Sequence, residues 1–237
     1  MPPSLTVDDF KMIRAVCELR YANAYLIYDR TGHVFHSIRD SFTDLRVVDA
    51  NPTQSAALAD EGRFGLEVGQ CRFTTDKPDT RLEGFAAHCK RFFDVVADCL
   101  EVRMFTRVGL RVFFRRDCRD LEESRKMLNS LQLLNLPSTV RFGASAEADE
   151  VMVRWEGSQV GALLRLKAES GKIDVILPPE LELEQASAPL HKAINGVVLD
   201  VDYYTVAPVE RAQWDATAWI PQAIRSVKKE AESILSR

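Results

Sequence analysis

The sequence predicts an α+β protein built on a mostly antiparallel sheet, with long amphipathic helices on one face. Three observations predict it. Several segments alternate apolar and polar residues with period 2, the spacing of half-buried strands. Two long segments instead repeat apolar residues every three to four positions, the spacing of one helix face. The strand-like runs also tend to follow one another directly, which favours antiparallel pairing over helical crossovers.

From Met12 to Ala22, Ile13, Ala15, Cys17, Leu19 and Tyr21 oppose Arg14, Glu18 and Arg20, which predicts a strand. Two readings compete over Asn23 to Phe42. Asp29-Arg30-Thr31-Gly32 suits a hairpin turn. Ala24, Ile27, Tyr28, Thr31, Phe35, Ile38 and Phe42 instead share one helical face, and this pattern covers more residues. The helix is preferred, although Gly32 weakens it by about 1 kcal/mol. Leu45 to Asp49 reads as a short strand closed by Asn51-Pro52. Arg63 to Thr75 reads as one further strand, with Phe64, Leu66 and Val68 on one side. A helix is expected from about Thr80 to Glu101, with Leu82, Phe85, Ala86, Cys89, Phe92, Phe93, Val96 and Leu100 as its apolar stripe.

From Phe105 to Phe114 the alternation returns, with Val108, Leu110, Val112 and Phe114 against Arg107, Gly109, Arg111, Phe113 and Arg115. A helix follows from Arg119 to Leu134, ended by Pro137. Four strand-like runs come next, at 139–146, 150–156, 159–169 and 172–177. Glu156-Gly157-Ser158-Gln159 and Glu169-Ser170-Gly171-Lys172 are tight-turn sequences, so an antiparallel meander is expected. Pro178-Pro179 opens an irregular segment reaching Ala193. Gly196 to Val206 is a strand, and a helix from Thr217 to Leu235 follows, with Pro221 near its start, where a missing N–H is tolerated.

Two stretches read alike. Gly65-Leu66-Glu67-Val68, a loop with Pro78 and a long helix match Val198-Leu199-Asp200-Val201, a loop with Pro208 and another long helix. This suggests a duplicated sheet-plus-helix unit, with halves at 1–118 and 119–237 that form either two lobes or one continuous domain.

Composition narrows the function. The 237 residues include 46% hydrophobic ones, enough for a core without disulfides or metals. A net charge of −4 disfavours a generic nucleic-acid binder. The opening residues lack a basic stretch followed by an apolar one, and no apolar run reaches the roughly 18 residues of a membrane span. A cytoplasmic protein with no membrane partner is therefore expected. Cys17, Cys71, Cys89, Cys99 and Cys118 lie in apolar segments without a C-x-x-C pair, as buried free thiols do.

The candidate site is basic. Arg107, Arg111 and Arg115 are spaced four apart on a strand and so project from one face; Arg116 and Arg119 follow at its end. Guanidinium groups offer forked donors to carboxylates or phosphates. Arg107, Arg111, Arg115 and Arg116 are therefore the candidate site for an anionic partner: an acidic peptide, a nucleotide or RNA. The competing reading is a solvated face with cross-strand ion pairs, for which Asp200, Asp202 and Glu67 are available.

Other chemistry is thin. Asp200 and Asp202 alone are too few oxygens for a Mg or Ca site. His33 and His36 lack an H-E-x-x-H context, and His88 and Cys89 point about 100° apart on a helix. His191 has no evident partner. No glycine pattern cradles phosphates, so no cofactor is expected. Trp155, Trp214 and Trp219 read as core or interface residues. A binding or adaptor module for a protein partner is the favoured class. The alternatives are a nucleic-acid-associated accessory protein using the Arg strand, and an enzyme with a site between the halves. A homo-oligomer stays open.

On Arg107-Val108-Gly109-Leu110-Arg111, on Val198-Leu199-Asp200-Val201-Asp202-Tyr203 and on the opening strand Arg14 to Arg20, the chain resembles a large, sporadically distributed, uncharacterised bacterial protein family of about this length. The resemblance implies a bacterial cytoplasmic protein, encoded irregularly as accessory or defence-type genes are. It brings no activity and no catalytic residue with it.

Overall fold

Alternating segments become strands and 3.6-period segments become helices in the computed structural model, which describes residues 6–51, 53–76, 82–134, 146–175 and 190–235. In chain order the elements are β1 (Lys11–Tyr21), α1 (Ile27–Ile38), β2 (Arg46–Ala50), β3 (Gln54–Ala59), β4 (Gly62–Glu67), β5 (Gln70–Thr75) and α2 (Leu82–Cys99). They continue with β6 (Met104–Cys118), α3 (Leu121–Ser130), β7 (Glu150–Glu156), β8 (Val160–Val175), β9 (Leu190–Thr205), β10 (Val209–Glu210) and α4 (Ala216–Leu235). All ten strands join one sheet in the order β2-β3-β4-β5-β1-β6-β9-β8-β7, with β10 pairing on the start of β6. Every pairing among the described strands is antiparallel.

Strand parity separates two environments. Val108, Leu110, Val112 and Phe114 of β6 are buried, as are Ala15, Cys17 and Leu19 of β1 and Val197, Leu199 and Val201 of β9. The four helices cover this face. A ring cluster fills the space under α1 and α2: Phe64 packs edge-on against both Phe42 and Phe92, and Phe73 stacks on Phe85. Trp214, just before α4, closes the layer against Phe93 and Phe105. Cys17, Cys71 and Cys89 are buried in the same layer, where loss of water pushes the Cys71 and Cys89 thiols well above their ordinary pKa. They are inert packing groups.

The helix ends show why these segments stop where they do. The Asp120 carboxylate accepts from Glu123 N–H at 2.8 Å and caps α3. The Asp215 carboxylate accepts from Thr217 N–H at 3.0 Å and caps α4. At the end of α2, Glu101 adopts φ 56°, and Val102 N–H bonds the Ala97 carbonyl at 2.9 Å. This closing turn usually carries glycine at the left-handed position.

Several expectations change. Residues 27–38 form the helix, not the hairpin. The expected strand 63–75 is a hairpin, β4 and β5, folded at Val68-Gly69; across the turn the buried set passes from even positions, Phe64 and Leu66, to odd ones, Cys71 and Phe73, a change of phase that marks it. The strand β3 at 54–59 went unread because Ser and Ala dominate it. The tight turn expected at Glu169–Lys172 is absent: β8 runs straight through Gly171, pairing with β9 over its full length. Apart from Ala146, the run 139–146 lies outside the described residues, as do Pro178-Pro179 and most of the segment after them. Pro221 is the sixth residue of α4, past the four free N-terminal N–H groups, so it removes one intrahelical hydrogen bond.

The order strand, helix, meander, helix occurs twice, as β1-α1-(β2 to β5)-α2 and as β6-α3-(β7 to β9)-α4. The last strand of each meander lies beside its own first strand, β5 next to β1 and β9 next to β6, and β1 pairs with β6 at the centre. The strand entering α2 is therefore β5; Gly65-Leu66-Glu67-Val68 lies one strand earlier. This order starts the second set at β6, ahead of the division at 118.

Candidate functional site: the open face of the sheet

The face opposite the helices carries the alternate residues of the same strands. On β6 these are Arg107, Gly109, Arg111, Phe113 and Arg115, so three of the four candidate arginines share this face. Arg116 does not. Parity turns it to the helix side at the end of β6, 3.9 Å from Asp9.

Neighbouring strands bring carboxylates to the arginines. Arg107 Nη2 donates to both Asp202 oxygens at 2.9 and 2.7 Å, and its Nη1 donates to Glu18 at 3.2 Å. Arg111 meets Asp200 in a two-point fork of 2.8 and 2.6 Å, which holds its guanidinium charged more firmly than usual. Among the described residues Arg115 pairs with Asp117, at 2.8 Å. The cross-strand ion pairs read from the sequence thus exist for Arg107 and Arg111. Glu67 sits elsewhere, 3.4 Å from Arg72.

The sheet curls so that residues from edge strand β2 through to β9 line one trough of about 610 Å³. Six arginines line it: Arg14, Arg20, Arg63, Arg72, Arg107 and Arg111. Four carboxylates accompany them, Glu18, Asp49, Glu67 and Asp202. Small and aliphatic residues, among them Val16, Ala56 and Leu58, form apolar floor between the charges. A Cβ on Gly65 would come within 2.9 Å of Arg72 Nε, so this glycine lets the Arg72 side chain lie flat on the sheet. A second hollow of about 450 Å³ lies across β6 toward β8, lined by Arg115, Arg165 and Lys167 with Glu150, Glu169 and Asp200. Phe113 stands on the ridge between the two, with the Arg14 and Arg111 guanidinium groups 5.8 and 4.9 Å from its ring. Arg107 stacks on Tyr204 at 4.4 Å.

Arg14, Arg20, Arg63 and Arg72 were not singled out from the sequence. The polar parity of Arg14 and Arg20 was visible, but joining them to the β6 arginines requires knowing that β1 pairs with β6. Among the described residues no group of three or more His, Cys, Asp and Glu is placed to hold a metal ion. Asp200 and Asp202 are each engaged by an arginine. His33 and His36 are exposed on α1, and His88 sits among the Phe42 and Phe73 rings on the helix side. Trp214 is packed as expected of a core residue, and Trp219 lies tilted against Tyr203, ring centroids 6.1 Å apart, whereas Trp155 is 46% exposed. No helix among the described residues is long and apolar enough to cross a membrane.

No protein-family model matches the chain, and no curated protein matches it.

Proposed function

We propose that the chain is a binding or adaptor module that receives an anionic segment of a protein partner on the open face of its sheet. The observation that carries this reading is the trough: six guanidinium groups gathered on one concave face of a chain whose net charge is −4. Binding fits the chemistry better than turnover. All six trough arginines hold carboxylates: Arg14 and Arg63 share Asp76, and the others hold Glu18, Glu67, Asp200 or Asp202, which leaves Asp49 as the one lining carboxylate without an arginine among the described residues. A polyphosphate backbone fits less well, because Glu18, Glu67 and Asp202 stand among the arginines and repel it. The recurring order of elements supports descent from a duplicated unit, with β1 and β6 as equivalent central strands. The bacterial cytoplasmic setting implied by the family resemblance accords with this reading.

Arg20 and Arg72 are the residues to change, because their side chains are about half exposed and their partners Glu18 and Glu67 lose little by it, Glu18 being held by Arg107 as well. Affinity capture from the native host with wild-type and Arg20→Glu/Arg72→Glu protein tests the reading. A specific partner that disappears with the variant, at unchanged melting temperature, is the expected result. Unchanged capture by the variant counts against it, as does turnover of phosphoester, nucleotide, ester or peptide substrates that depends on a trough residue.

A further inference from the structure

Resting on that reading, we infer the form of the partner segment: an amphipathic α-helix with acidic flanks, lying along the trough. Backbone hydrogen bonding disfavours an extended segment laid across the face, away from the edge strand β2. β3, β4, β5, β1 and β6 each pair on both sides, so their main-chain donors and acceptors are already used. A peptide stretched across their face finds no ladder, and burying its own N–H and C=O groups there is costly. A helix satisfies those groups internally and presents only side chains.

The trough reaches from β2 to β9, several strands at roughly 4.8 Å spacing. A helix with its side chains is about 10–12 Å across. Its apolar stripe meets Val16, Ala56 and Leu58 on the floor, while acidic side chains on its flanks meet Arg20 and Arg72. Discrete side chains can also avoid Glu18 and Glu67, which a uniformly charged phosphate chain cannot.

The test uses the full chain and two displayed peptide libraries of equal composition, each about 15 residues long, near the length at which helices hold in water. One library places apolar residues at helical spacing and the other alternates them. The inference expects enrichment only from the helical library, with Glu and Asp at the flanks. It expects selected peptides to lose at least about tenfold in affinity on Arg20→Glu/Arg72→Glu. Ala56→Phe, which fills the floor without changing charge, should abolish binding; Val16→Phe serves the same purpose if the first variant does not fold. Enrichment from the alternating library that still depends on Arg20 and Arg72 overturns the helix and leaves the anionic-partner reading intact. If no peptide from either library depends on Arg20 or Arg72, both fall. Tight binding of a single-stranded oligonucleotide that Ala56→Phe abolishes also overturns both, in favour of a nucleic-acid partner.

Discussion

β6 contributes one set of residues to each face of the sheet, and the two sets are held in place by different forces. Toward the helices, Val108, Leu110, Val112 and Phe114 are almost fully buried and gain from removal of apolar surface from water. On the open side, Arg107, Arg111 and Arg115 stay partly hydrated and gain chiefly from pairing with carboxylates, a term that water and salt diminish, to which the Tyr204 and Phe113 rings add for Arg107 and Arg111. Stability is therefore concentrated on one face, and the other is free to be specialised by charge. Substitutions should separate the two faces by magnitude.

The largest effect belongs to the covered face. Phe92 is fully buried and packs on Phe64 and Phe93. Phe92→Ala should cost about 3–5 kcal/mol in urea unfolding, because it leaves a cavity in a layer that cannot collapse around it. A cost near 1 kcal/mol would mean that the ring layer repacks freely.

The open face should respond less, even at its most buried carboxylate. Asp200 is only 7% exposed, whereas its partner Arg111 is 44% exposed at the side chain and keeps part of its hydration. Asp200→Ala should cost about 1–2 kcal/mol. The double change Asp200→Leu/Arg111→Met should lie within about 1 kcal/mol of wild type, since it removes both desolvated charges together. A double variant as damaged as Phe92→Ala would show that the ion pairs organise the sheet rather than decorate it.

Two smaller tests fall on helix ends. Asp215→Ala removes the cap of α4 and should cost about 1 kcal/mol at neutral pH. Thr217 N–H, with the Thr217 hydroxyl, holds the Asp215 carboxyl below its usual range. A group depressed in the folded state stabilises above its unfolded pKa and loses that contribution as pH falls through the folded value. The difference between wild type and variant should therefore shrink below the ordinary carboxylate pKa of about 3.9. The smallest effect is a gain. Glu101→Gly relieves the left-handed backbone after α2 and should stabilise by roughly 0.5–1 kcal/mol, less the weak surface pair with Arg30. A measured loss would mean that this ion pair outweighs the backbone strain.

The mostly antiparallel sheet, the helices on one face and the apolar stripes of β6 and α2 were legible in the chain, because they follow from local periodicity. Leu110 and Phe92 are core residues in any arrangement that respects period 2 and period 3.6. Local turns were less legible. The β4–β5 hairpin shows only as a shift of the apolar positions from even to odd after Val68, and Gly171 sits inside a straight strand although its neighbours spell a turn. Hydrogen bonding to β9 over sixteen residues outweighs that local preference.

The candidate site divides in the same way. Sequence by itself determined that Arg107, Arg111 and Arg115 share a face, because side-chain direction along a strand depends only on parity. It could not assign Asp202 and Glu18 to Arg107, or Asp200 to Arg111, since those pairings need the register of β9 and β1 against β6. Only the tertiary structure brought Arg14, Arg20, Arg63 and Arg72 into one trough with them. Their joining depends on strand order and sheet curvature, which arise from contacts between segments far apart in the chain and leave no periodic trace within any one of them.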